Sequence, residues 1–301
     1  MAGLRLSVLV EWPWHTLRRL ERRLASVEAT AARLASQIDP RIPFGAVPTP
    51  IAEVVAREVA EVSFDRKFLA LLDICEAFLK YTSGIAFAVE IRAGGVRSEE
   101  ILRAFLKPPS LGILAGELRK CLDGPTTAWP LDIIRSDYRK DGSKTPLERY
   151  LLEEFLKLRN DEKGHGSSQP EGYYEDLFLK NRLIVEDILK ACVHLSIPLV
   201  NLGPADARDS GYVHSARLLM GLAPTAIRED IKAETPIPKG ATCLWPANGQ
   251  DGVISIDQFV SYLYCSVCNR EHMFFAERIK GNEVSYFAPV GNHRLKKAVP
   301  T

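Results

Sequence analysis

The sequence predicts an α+β chain: an all-α helical bundle, preceded by a coiled-coil-like helix and followed by a small antiparallel β module. Three observations predict it. Apolar residues recur at helical spacing in nearly every segment from residue 50 to about 195. Pro40, Pro43, Pro48 and Pro50 set that body apart from an earlier heptad pattern as a semi-rigid linker. After Ile197 the pattern changes to short β-prone runs separated by Gly, Asn, Asp and Pro. The resulting segments are 1–49, 50–196 and 197–301.

In the first segment Leu17, Leu20, Leu24, Val27, Ala31, Leu34 and Ile38 recur at alternating steps of three and four. This a/d seam fits a helix that pairs with another helix, in a second copy or a protein partner. An amphipathic helix lying on its own domain is the equal alternative, and Arg18, Arg19, Arg22, Arg23 and Arg33 read as its solvated flanks. The helical body reads as a short helix over 51–62 and a long apolar one over 65–91. Brief helices over 98–106 and 110–122 follow, and then longer ones over 146–160 and 173–194. The 65–91 helix carries Asp73, Glu76, Lys80 and Glu90 and therefore reads as a buried core helix, with no membrane span. Thr145, Pro146 and Glu148 predict a capping box that starts the 146–160 helix. In the last segment Lys280-Gly281-Asn282-Glu283 reads as a hairpin turn.

With 301 residues, 46% of them hydrophobic, the chain can bury a sizeable core. A net charge of +1 provides no global field for nucleic acid, so an RNA site must be a local patch or cleft. No secretory signal is legible, because Arg5, Glu11 and Pro13 interrupt the opening residues. Six scattered cysteines fit a reducing compartment, and the expected location is cytoplasmic. Cys75, Cys121 and Cys192 read as core packing, and His194 as a helix-end cap.

The richest chemistry lies in Leu158-Arg159-Asn160-Asp161-Glu162-Lys163-Gly164-His165-Gly166. Leu147, Leu151, Phe155 and Leu158 form one apolar stripe, and Arg159 sits at its edge in the last predicted turn. A guanidinium can hold a phosphate through parallel N–H bonds, and histidine is the side chain that titrates nearest neutrality. RNA supplies its own nucleophile, the 2′-hydroxyl, so a positioned acid and base suffice without a metal. Lys163, Gly164 and Gly166 are the candidate substrate contacts, the glycines permitting close backbone approach. The plainer reading has Arg159 bonding terminal carbonyls and His165 in solvent. Glu76, among Leu72, Cys75 and Leu79, reads first as solvated and second as a partner of Arg159 or His165.

Arg159-Asn160, four residues, then His165 resembles the R-N-x(4)-H motif of the HEPN family, helical nucleotide-binding and ribonuclease domains of prokaryotic toxins and defence proteins. The resemblance covers roughly residues 51–195. It implies that Arg159 and His165 are catalytic or contact RNA, with Asn160 in support. It further implies a homodimer whose two Arg159/His165 pairs share one cleft, cleaving RNA as a toxin or antiviral-defence effector without a catalytic cofactor. A non-catalytic nucleotide- or RNA-sensing subunit that scaffolds a partner defence enzyme is the alternative. Ser167 stands where family toxins silenced by nucleotidylation carry tyrosine.

Cys265-Ser266-Val267-Cys268 has the spacing of a zinc knuckle. With no second CxxC, a four-ligand site would need two more donors from His272, His293 and Cys243. The pair therefore reads first as two reduced thiols, with a structural zinc held by Cys265 and Cys268 as the alternative. Arg294, Lys296 and Lys297 read as a solvated basic end that could reach phosphates.

Overall fold

In the computed structural model, which describes residues 47–94, 96–164, 169, 172–209, 211–227, 229–246 and 252–298, a proline starts the first helix. Pro50 suits a first turn, where a missing N–H leaves no carbonyl unserved, and α1 (Thr49–Ala60) buries Ile51, Ala52, Val54 and Val55. The 30-residue α2 (Phe64–Ala93) is central. It is buried on nearly every face between Phe68 and Glu90, because other elements surround it. Around it lie α3 (Val96–Ala104), α4 (Leu111–Asp123) and α5 (Leu131–Tyr138). Ser110 caps α4 by accepting from the Ile113 N–H at 3.3 Å.

A hairpin of β1 (Arg139–Lys140) and β2 (Ser143–Lys144) interrupts the helices. Asp141 and Gly142 both have positive φ, as a mirror-image hairpin turn requires. Then α6 (Pro146–Arg149) starts where the cap pattern predicts, the Thr145 hydroxyl accepting from the Glu148 N–H at 3.4 Å. The reciprocal half of the capping box is absent. The Thr145 N–H donates instead to the Tyr138 carbonyl at 3.1 Å, and Arg139 Nε meets the Glu148 carboxylate at 3.0 Å. A π-helical turn, Tyr150–Glu154, leads into α7 (Phe155–Gly164), and α8 (Tyr173–Ala191) follows.

Two larger antiparallel sheets complete the chain. In one, β3 (Leu199–Arg208), β4 (Gly211–Leu218), β5 (Thr225–Ala226), β6 (Ile231–Ala233), β7 (Thr242–Leu244) and β8 (Ile254–Ser255) pair in the order β5-β4-β3-β7-β8, with β6 also on β4. In the other, β9 (Val260–Cys265), β10 (Arg270–Lys280), β11 (Glu283–Ala288) and β12 (His293–Ala298) form a meander. The predicted turn joins β10 to β11, with Lys280 opposite Glu283.

The expected all-α, HEPN-like bundle with a small β module is incorrect. The protein is a mixed α/β structure with three antiparallel sheets, one of them inside the helical half. The meander is part of the main core: Phe87 of α2, Phe105 beyond α3 and Phe259 before β9 form an aromatic triangle with centroids 5.3–6.1 Å apart. Backbone bonds cross the same boundary, Ile279 N–H to Phe105 carbonyl at 2.8 Å and Thr49 N–H to Leu219 carbonyl at 3.0 Å. Local periodicity anticipated most helices and the central strands but neither α5 nor the β1–β2 hairpin nor β12, and it carries no information about which faces close on each other. The described residues all lie in one compact unit, Ile42–Thr301. The expected heptad helix, with its arginines and its pairing role, falls on residues outside those described. No helix among the described residues is long and apolar enough to cross a membrane.

Candidate functional site

Helix α7 aims Arg159 inward. Phe155 is fully buried, and Arg159 follows it by one turn on the same face. Its Nη2 donates to Glu76 Oε2 of α2 at 3.3 Å, while Glu76 Oε1 receives Lys80 Nζ at 2.9 Å, an i,i+4 pair on α2. Beside them Arg57 of α1 pairs with Asp73 of α2 and donates to the Pro289 carbonyl at 3.3 Å. These groups line a cleft of about 260 Å³ whose other wall is Phe275, Phe287 and Asn292 from the meander. Lys80 Nζ lies 5.4 Å from the centre of the Phe287 ring, a cation–π contact.

The predicted motif is thus partly assembled. Arg159 is in the cleft with its side chain 29% exposed, whereas Asn160, a third of a turn further round the helix, is exposed to solvent. The backbone of Lys163 and Gly164 forms the end of α7, one turn beyond the predicted end of the helix. His165 and Gly166 lie outside the described residues. Glu76 takes the sharper of its two readings, as the partner of Arg159. Tyr173 at the start of α8 donates to Glu162 Oε1 at 2.5 Å, and that bond, with burial second, pushes its phenol up to about 12. It ties the last turn of α7 to α8. Arg57 was not singled out from the sequence, and Asp73 and Lys80 were read only as charges excluding a membrane span, although charges at 73, 76 and 80 on an apolar helix form a legible stripe.

A second cluster lies at the end of the meander. Cys265 ends β9, Cys268 is in the turn, His272 is on β10 and His293 starts β12. Cys265 Sγ is 3.1 Å from His293 Nδ1, and Cys268 Sγ is 3.0 Å from His272 Nε2. The donor atoms of Cys265, Cys268 and His293 all fall within 4.8 Å of one another. Burial raises the Cys265 thiol, but the Cys268 and Val267 N–H groups aimed at its sulfur outweigh this and hold it below its ordinary value. Burial also lowers His272, with His293 and Arg270 adding to the effect, which favours neutral imidazole. Cys243 does not join the cluster: it is fully buried on β7 in a different apolar cluster.

Other candidates are structural. His194 is fully buried, with Nδ1 2.6 Å from Asp137 Oδ2 and Nε2 3.0 Å from Thr82 Oγ1. Its backbone N–H also donates to Asp137 at 2.9 Å. With both ring nitrogens engaged inside the core, it braces α2, α5 and the turn after α8, and the expected cap role is replaced. A hollow of about 480 Å³ lies beside Arg135, whose guanidinium donates to the carbonyls of Leu122, Gly124 and Thr126 at 2.7–2.9 Å and so closes the end of α4. The basic end residues are paired: Arg294 with Glu277, Lys296 with Glu283 and Lys297 with Asp257. Compared with known proteins, the chain matches no family model, no curated protein and no solved structure.

Proposed function

We propose that the Arg159 cleft binds the phosphodiester of single-stranded RNA and, with His165, cleaves it in the manner of a HEPN-type, metal-independent endoribonuclease. The observation that carries this reading is the convergence of Arg57, Lys80 and Arg159, from three helices, on one cleft. Three cations face two carboxylates, an excess of one positive charge among the described lining residues, which suits a monoanionic phosphate. Glu76 orients two of those cations, and half-buried Phe287 offers an aromatic edge to a base.

In this chemistry a histidine takes the proton of the 2′-hydroxyl as that oxygen attacks phosphorus. The bond to the 5′ oxygen breaks, and a second histidine, from the other protomer of a dimer, protonates it. The products are a 2′,3′-cyclic phosphate and a 5′-hydroxyl end. Guanidinium donors stabilise the charge that builds on the non-bridging oxygens.

A second reading, a nucleotide- or RNA-sensing subunit without cleavage, is favoured by one contact. Glu76 already engages Arg159, so this guanidinium is less free to stabilise charge building on phosphorus than a cleavage site requires. The test incubates labelled single-stranded RNA with wild type, His165→Ala and Arg159→Ala in magnesium-free buffer, with EDTA and in parallel with added zinc. The cleavage reading expects cyclic-phosphate ends from wild type and a loss of about 100-fold or more in each variant. Intact RNA in both arms, or undiminished cleavage by His165→Ala, rejects it. RNA binding that Arg159→Ala abolishes, with no cleavage at any stage, establishes the sensing reading.

A further inference from the structure

We infer that Cys265, Cys268, His272 and His293 form a closed, four-coordinate zinc site that pins the β9–β10 turn to the start of β12. Cys265 and Cys268 alone leave such a site half built. The fold supplies the other two donors, because β10 and β12 lie on either side of β11 and bring His272 and His293 to the same end of the sheet. Their rings stand nearly perpendicular, at 85°, with centroids 5.9 Å apart. Each histidine nitrogen faces one sulfur, so the four donors are arranged as two Cys–His pairs.

The donor set selects the metal. Two sulfurs and two imidazole nitrogens suit tetrahedral zinc, whereas calcium and magnesium require oxygen ligands. Zinc bonds of about 2.3 Å to sulfur and about 2.0 Å to nitrogen put tetrahedral S···N separations near ~3.5 Å. The 3.0–3.1 Å contacts open by about half an ångström, and His272, which meets Cys268 but lies outside the 4.8 Å grouping of Cys265, Cys268 and His293, swings toward the other donors by side-chain rotation. With four protein donors no position remains for water, so the role is structural. On binding, each thiol passes its proton to solvent and the thiolate bonds the metal.

The local backbone fits this use. Asn269 takes positive φ to close the knuckle. Gly291, also at positive φ, lies against the His293 ring, where a Cβ would come within 3.1 Å. The same β11–β12 loop contributes Pro289 and Asn292 to the Arg159 cleft. A metal at His293 therefore anchors one wall of that cleft.

The test measures zinc in full-length protein purified under reducing conditions without chelator, then follows cobalt(II) binding to metal-stripped protein. The expected result is about one zinc per chain and the absorption of tetrahedral cobalt thiolate. His272→Asn, His293→Asn and Cys268→Ser should each lose most of the metal, while Cys192→Ala, at a buried thiol beyond α8 and outside this cluster, keeps it. Wild type without zinc and without the cobalt spectrum overturns the inference, as does a Cys265–Cys268 disulfide in freshly isolated protein. So does full zinc in both histidine variants. The wild-type measurements stand even if a variant misfolds. None of these outcomes depends on RNA cleavage.

Discussion

Glu53 on α1 is half-buried, and desolvation pushes its carboxyl from the ordinary 4.5 to about 7. A raised folded value means that the native state holds the proton more tightly. The site imposes no penalty below about pH 4.5, where both states are protonated, and destabilises the fold increasingly as pH rises to about 7. Glu53→Gln should therefore gain about 1–2 kcal/mol above pH 7, allowing for partial exposure, and nothing below pH 4.5. Urea titrations across that range read the difference, and a pH-independent gap would sink the assignment. Arg159 shows what single residues revealed in advance. Its chemistry and its boundary position were legible, because both follow from side-chain type and helical period. Its partner was legible only as the second choice for Glu76, because 83 residues separate the two in the chain.

Among the elements, the segment from Thr145 to Gly164 was the best and the worst anticipated. Its start follows from local chemistry, a hydroxyl one residue before a proline, and the structure keeps both. The Thr145 hydroxyl also donates to the Asp137 carbonyl at 2.8 Å, so it links the cap to α5. Thr145→Ala should lower stability by about 1–2 kcal/mol, seen as a lower urea midpoint with an unchanged slope. An unchanged midpoint would mean that the cap contributes nothing net. The π turn was not anticipated. Its signal is Tyr150, Leu151 and Leu152, three consecutive buried residues that no single 3.6-period stripe accommodates. Arg119 of α4 donates to the Leu152 carbonyl inside that turn at 2.7 Å, a tertiary contact that the local sequence does not encode.

At the scale of the molecule, the decisive contact is between α2 and β9. Gly84 is packed so closely that a Cβ would meet Val260 Cγ2 at 2.8 Å and Phe259 Cβ at 3.1 Å. Gly84→Val should cost about 1–3 kcal/mol by overpacking. Because helices and meander share one core, the loss should appear equally in both. The slowest hydrogen exchange in α2 and in β9 should share one opening free energy and fall together in the variant. Exchange that accelerates in β9 alone would show two independent units.

The sequence by itself determined the identity of most helices and strands, the cap at Thr145, the β10–β11 turn and the residue types of both sites. Period, turn chemistry and side-chain chemistry are local, so a one-dimensional reading reaches them. Tertiary structure alone decided that the sheets close onto α2, which overturned the all-α body. It decided that Arg57 and Lys80 join Arg159, and that His272 and His293, and not Cys243, stand opposite the two cysteines. Those outcomes depend on which apolar faces bury each other, a property of packing between residues far apart in the chain.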